Sequence, residues 1–505
     1  MKRKLTIKIT NMLAACSLAF TMVVTVPGIS GLIFSGQTGR QLNRFPAVNA
    51  ASAFPKTNKP LSELNVGNTI FLPLVMNLWP LPPAPWGITF DYSVDENGGL
   101  LEMETAGTEW TRRDLVWSKV EPNIGDRRWN EISSFDADIL NAQAHGMEFI
   151  AIIESAPSWA RKDPLKCSPV KADSFDELAN FAYDAVNKYS KPPYDVMTWE
   201  LWNEPDAPSV LGCWGDPGDT SYYGGAHYGE MLKVVYPRMK EANPNIKVYF
   251  GGLLLDCDPA TSDEIRCGYA NFLEGALVVG AGPFFDGVSF HGYDYYDGEV
   301  NGIGSYSNQN WNSTQETTGP VLLAKANFIR SVLSKNGVSG KDLIVTENAL
   351  ICGDASGSSS AFCDTPAHET TKAYYLAQSF TMALVEDWKS IIWWSVFGHR
   401  FSGLFNQDLS HPQPAYYTYQ FMTDKLDSAK YAAPVLTQYE NLMAYEFNRN
   451  GKTIWVVWAK TNSPTQISLP WLPTGIWQIG TDGKGQVITA SQSLTINQAP
   501  MVIEY

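Results

Sequence analysis

Thr198-Trp-Glu-Leu-Trp-Asn-Glu-Pro-Asp206 carries the clearest structural signal in the chain. It begins as a strand. By strict alternation Trp199, Leu201 and Asn203 share one face, and Glu200, Trp202 and Glu204 the other. Pro205 removes a ladder donor and ends the strand. An Asn and a Glu are thereby left side by side at a strand's carboxyl end, under aromatic cover. A second apolar run, Asp342-Leu-Ile-Val-Thr-Glu-Asn348, delivers Glu347 in the matching position.

Working outward, strand-type and helix-type segments alternate on both sides of this stretch. Strands are expected at 86–90, 109–115, 148–153, 196–202, 247–251, 285–290, 343–346 and 390–395. Helices are expected at 98–105, 131–145, 174–189, 228–242, 269–279, 321–335, 370–386 and 413–422. Eight strands alternating with eight helices predict a (β/α)8 TIM barrel over residues 86–426. Beyond it, residues 427–505 hold strands only, with hairpin turn signals at Asn448-Arg-Asn-Gly451 and Asp482-Gly-Lys-Gly485. This predicts a small antiparallel all-β sandwich domain. No internal repeat is evident beyond the β/α alternation.

The first 85 residues read differently. Lys2, Arg3, Lys4 and Lys8 precede an apolar run from about Met12 to Ile33, as in a secretion signal. Pro27 and Gly28 interrupt that run, which suits a spanning helix poorly, and an uncleaved N-terminal anchor is the alternative. Ala51-Ser52-Ala53 is a candidate cleavage site, so residues 1–53 are read as signal and linker. Residues 54–85 continue as a linker with one strand-like segment, 68–75, that could join the β-domain.

The charge balance, net -15, disfavours nucleic acid and anionic membrane surfaces as partners. Setting Cys16 aside leaves Cys167, Cys213, Cys257, Cys267, Cys352 and Cys363, an even set in a chain read as exported and extracellular. Their places in the loops predict the pairs Cys167–Cys213, Cys257–Cys267 and Cys352–Cys363. No spacing resembles a zinc site among only six His, and no metal or cofactor is implied.

In TIM barrels chemistry gathers at the carboxyl ends of the strands. The polar and aromatic residues placed there are Arg112, Trp159 after Glu154, Asn203, Glu204, His291, Tyr293, Glu347 and Trp394. Two carboxyl groups held by one scaffold suit glycosidic bond cleavage: one protonates the leaving oxygen, and the other attacks or stabilises the anomeric carbon.

Trp-Asn-Glu-Pro on the fourth strand, His-x-Tyr on the sixth, Thr-Glu on the seventh and a Trp on the eighth resemble the clan of retaining β-glycosidases built on (β/α)8 barrels. Arg112-Arg-Asp-Leu-Val-Trp117 followed by Val120-Glu-Pro122, and a terminal all-β domain, are most similar to glycoside hydrolase family thirty-nine and its relatives. That group includes β-xylosidases, α-L-iduronidases and bacterial endoglycosidases acting on exopolysaccharide. The resemblance covers about residues 86–505; residues 1–85 have no counterpart in it. It implies a carbohydrate substrate, Glu204 as general acid/base and Glu347 as nucleophile. It further implies that Asn203 holds the sugar 2-hydroxyl, that Tyr293 donates to the nucleophile and that His291 lines the same pocket. Arg112 would pair with Glu347 or a neighbour, and Trp394 would floor the subsite at the scissile bond. The competing reading is a non-catalytic carbohydrate-binding protein on a barrel scaffold. Trp455, Trp458, Trp471 and Trp477 could stack on sugars or fill the β-domain core.

Overall fold

A computed structural model describes residues 83–207, 209–257, 270–300, 303–353, 361–406 and 408–505, with the backbone of two earlier strands. The chain divides into two compact units, Met1–Pro82 and Pro83–Tyr505. In the first, Ala19–Val26 pairs antiparallel with Ile29–Gln37, Val24 lying opposite Leu32. The expected strand at 68–75 and the candidate cleavage site at 51–53 lie outside the described residues. Among the described residues no helix is long and apolar enough to cross a membrane.

The second unit opens with a closed barrel of parallel strands. These are β1 (Trp86–Thr89), β2 (Trp110–Val116), β3 (Glu148–Glu154) and β4 (Thr198–Asn203). They continue as β5 (Lys247–Leu253), β6 (Gly287–Val300), β7 (Asp342–Ile351) and β8 (Ile391–Trp394), and β8 pairs back onto β1. The main helices are α1 (Leu100–Thr105), α2 (Ser133–Ala144), α3 (Phe175–Tyr189) and α4 (Gly225–Ala242). Then follow α5 (Phe272–Val278), α6 (Leu322–Lys335), α7 (Pro366–Val385) and α8 (Pro414–Leu426).

The strands show why parallel sheets read as continuous apolar runs: both faces are covered. In β3, Phe149, Ala151 and Ile153 pack under the helices, while Ile150 turns inward to a layer with Trp110, Tyr249, Ile344 and Ile392. The helices bury one stripe each. In α3, Leu178, Ala179, Ala182, Ala185, Val186 and Tyr189 recur at helical spacing and are buried. Asp176 and Glu177 in its first turn and Lys188 in its last complement the helix dipole.

Two barrel strands run further than the sequence suggests. β6 is expected to end at 290 but continues to Val300 and folds back on Ile303–Asn308 as a hairpin, Tyr295 lying opposite Ser307. Its aromatic run, Tyr293, Tyr295, Tyr296 and Tyr306, suits a half-buried strand pair. β7 continues past Glu347 to Ile351.

The all-β part is a six-stranded sheet facing a two-stranded one, Thr465–Ser468 with Ser493–Ile496. Its strand Lys452–Ala459 is covered on both faces. Ile454, Val456 and Trp458 join the core shared with the barrel helices. Trp455, Val457 and Ala459 alternate with them and pack with Ile467, Leu469, Leu494 and Ile496. Trp455 and Trp458 are therefore core residues, Trp477 is half-buried, and Trp471 stands 66% exposed. An edge strand not evident in the sequence, Lys430–Pro434, pairs with Leu442–Arg449; it is short and mostly exposed.

Candidate active site

The strand ends that carry the two carboxylates are irregular, and this corrects the alternation read from the sequence. Trp202 and Glu204 adopt left-handed backbone, φ 77° and 45°. For a bulky aromatic residue this conformation is strained, and such strain gathers at functional sites. Its effect is to shift the faces. Trp199 and Leu201 stay under the helices, Trp202 joins them against Trp214, and Asn203 turns inward like Glu200. A register shift between Val345 and Glu347 does the same on β7. Thr346 bonds Ser289 at 2.6 Å on the barrel interior, yet Glu347 also reaches inward.

Arg112 spans the interior between them. Its Nη2 donates to Asn203 Oδ1 at 2.7 Å, and its Nη1 donates to Glu347 Oε1. Tyr293 donates its hydroxyl hydrogen to the other Glu347 oxygen. His291 Nδ1 lies 2.9 Å from Glu204 Oε1 and 3.4 Å from Glu347 Oε2. Glu204, His291 and Glu347 bring these polar atoms within 4.8 Å of one another. The Arg112 guanidinium in the same cluster opposes a cation there.

The electrostatics separate the two carboxyls. Burial drives Glu204 up to about 7, although Arg112 and Lys325 pull the other way. Its side chain keeps 18% exposure, against 8% for Glu347. Burial also draws His291 down to about 3, so its ring is neutral at ordinary pH. The Tyr293 phenol is pushed well above its usual range by burial and by the charge of Glu347, and remains a hydrogen donor. Burial disfavours the Arg112 charge, but Glu200, Glu347 and Asp114 outweigh it and hold the guanidinium charged.

The remaining sequence candidates lie as follows. Trp394 is half-buried at the end of β8, in register with Thr89, while Trp393 is fully buried and donates to Ser402 O. Trp159 packs edge-on against Trp117 and donates to the Glu121 carbonyl at 3.2 Å, an arrangement that ties it to the loop after β2. Cys167–Cys213 joins the loops after β3 and β4, and Cys352–Cys363 closes the loop after β7. Cys257 is disulfide-bonded; the expected partner Cys267 lies outside the described residues.

Several residues of the site were not singled out from the sequence. Glu200 is fully buried inside the barrel and accepts from Gly252 N–H at 2.5 Å. Lys325 is buried on α6 and donates to the carbonyls of Leu254 and His291. Asp206 accepts from the N–H groups of Leu254 and Leu255, both at 2.8 Å. Glu154, at the end of β3, is raised to about 7 by burial and by Asp114. The signal existed for two of them: Glu200 interrupts an apolar strand, and Lys325 falls in the buried stripe Leu322, Lys325, Ala326, Ile329.

No family model matches the chain, and no curated protein does. Solved structures do. A family 39 glycoside hydrolase from the gut symbiont Bacteroides cellulosilyticus WH2 superposes with TM-score 0.60 at 19% identity, over 84% of this chain and 81% of that one. The family 30 subfamily 8 xylanase Xyn30A from Clostridium acetobutylicum gives 0.55 at 13% identity, over 83% and 94%. AbfB, a family 51 α-L-arabinofuranosidase from Bifidobacterium longum, gives 0.53 at 14% identity, over 84% and 96%. The chain shares the fold of these glycoside hydrolases, a TIM barrel followed by a β-domain.

Proposed function

We propose that this protein is a retaining glycoside hydrolase acting on O-glycosidic bonds of poly- or oligosaccharides. The observation that carries the reading is the unequal pair. Glu347 is gripped by Arg112 and Tyr293, while Glu204, within 4.8 Å of the same cluster, is bound only by His291 among these groups and is raised to about 7. Retaining enzymes hold their carboxyls about 5–5.5 Å apart, and inverting ones about 6.5–9.5 Å. The close pair therefore supports double displacement.

In the first step a Glu347 oxygen forms a bond to the anomeric carbon. The glycosidic C–O bond breaks, and the Glu204 proton goes to the departing oxygen. In the second, water gives its proton to the Glu204 carboxylate and its oxygen to the anomeric carbon, releasing Glu347. Asn203, fixed by Arg112, would hold the 2-hydroxyl, and Trp394 the floor beside it. The disulfides and the basic-then-apolar N-terminus support an exported, extracellular enzyme.

The test is turnover of aryl glycosides and of plant and bacterial polysaccharides, with NMR of the first-formed anomer. Hydrolysis with retained configuration is expected. Binding without turnover would leave the carbohydrate-binding reading, and an inverted first product would refute the roles of the two Glu.

A further inference from the structure

Beneath the two carboxyls lies a pair of buried polar atoms whose needs are complementary. His291 Nε2 is buried and has no hydrogen-bond partner, and neither has Glu200 Oε2. Both side chains are fully buried. The Glu200 carboxyl borders the His291 ring at Gly252 through its other oxygen: a Cβ there would collide with His291 Nε2 and with Glu200 Oε1, which accepts the Gly252 N–H, so only glycine leaves this space open. An orphaned buried polar atom is costly, so a nitrogen lone pair facing a carboxyl across a side-chain-free gap calls for a proton between them.

The charges around this gap settle which group supplies it. Around His291 stand Arg112 from β2, Glu200 from β4, Glu347 from β7 and Tyr293 from its own strand. Lys325 approaches from α6, and Asp206 and Asp256 add their charges around Lys325. Burial and the cations Arg112 and Lys325 keep the imidazole neutral, with one ring proton. Burial, against the pull of Arg112 and of hydrogen bonds from Gly252 N–H and the Ser289 hydroxyl, raises Glu200 to about 7, and the charge of Glu347 adds to this. If the ring proton sits on Nδ1 it points at Glu204, and Nε2 is then an acceptor.

We infer that Glu200 is a positioning residue acting through His291. Its neutral carboxyl donates to Nε2 through one water above Gly252, and thereby holds the ring proton on Nδ1, aimed at Glu204. This rests on the reading of Glu204 as acid/base. The bond from Nδ1–H favours ionised Glu204, the form that must accept a proton from water in the second step. Without Glu200 the ring proton moves to Nε2. The Nδ1 lone pair then faces Glu204 and favours its protonated form, which slows the base step.

The experiment compares Glu200→Gln, which keeps an N–H donor, with Glu200→Leu, which has the same bulk and no donor. ¹⁵N NMR of His291, assigned by loss of its signal in His291→Gln, reads the tautomer. Wild type and Glu200→Gln should show Nδ1–H, and Glu200→Leu should show Nε2–H. On an aryl glycoside with a good leaving group, Glu200→Leu should lose about ten- to a hundredfold in kcat, recovered by azide, with its acidic limb moved to higher pH. Glu200→Gln should stay within about threefold of wild type. An Nδ1–H tautomer in Glu200→Leu, or an equal loss in Glu200→Gln, would overturn the inference. Glu200→Met serves should the Leu variant not fold, and matched thermal unfolding excludes a global effect. If wild type hydrolyses no glycoside, the proposed function fails and the NMR comparison still decides the role of Glu200.

Discussion

Glu204 follows β4 and Glu347 lies within β7, two strands on different parts of one barrel, and the barrel treats the two carboxyls differently. On β7, Glu347 receives one donor on each oxygen, from a guanidinium and a phenol. At the end of β4, Glu204 meets a neutral imidazole, and burial raises it to about 7. Donors to an ionised carboxylate favour the charge; desolvation without such donors favours the proton. This difference supports the roles proposed for the two side chains, which their identical chemistry could not distinguish.

Four measurements would break or sharpen that contrast. The largest effect is expected from Glu347→Ala, which removes the proposed nucleophile: about 10⁴-fold or more in kcat on every glycoside, with any azide product inverted. Glu204→Ala should cost about 10²- to 10⁴-fold on substrates needing a proton. On an aryl glycoside with a good leaving group it should still release the phenol in a burst. Azide should then restore turnover and give a glycosyl azide of retained configuration. Exchanged azide products between these two variants would mean that the roles are reversed. Tyr293→Phe removes one of the donors that distinguish Glu347, so a loss of about ten- to a hundredfold in kcat/KM is expected. An unchanged rate would show that Arg112 alone holds the nucleophile.

The smallest effect concerns stability. Glu200 and Glu204 are both raised from an ordinary 4.5 to about 7. Between those values the unfolded chain has released a proton that the native state still holds. This contribution is therefore complete below about 4.5 and is lost as pH rises through about 7. The thermal midpoint should fall as pH is raised across that window, and less steeply in Glu200→Gln. A midpoint that rises instead would contradict the burial argument for both groups.

The architecture was legible because it rests on short-range patterns. Apolar runs bounded by turn residues mark parallel strands, and helical stripes mark their covers; tertiary context only moved their ends. The clearest departures are β6 and β7, which outlast the apolar run as polar and aromatic residues continue the pairing. The face assignment failed at Trp202, where a left-handed residue breaks the period of two. No local pattern announces such a conformation in a tryptophan, because packing against Trp214 holds it there.

From residues alone came the eightfold alternation, the strands-only tail and the two glutamates at strand ends, since periodicity and turn chemistry are local properties. The partners of those glutamates were decided elsewhere. Arg112 and Glu347 are 235 positions apart, and His291 and Glu204 are 87 apart. Only barrel closure brings such residues together. Which carboxyl keeps a proton depends on burial and on charges arriving from other strands, quantities that do not exist until the tertiary structure excludes water from the barrel's mouth.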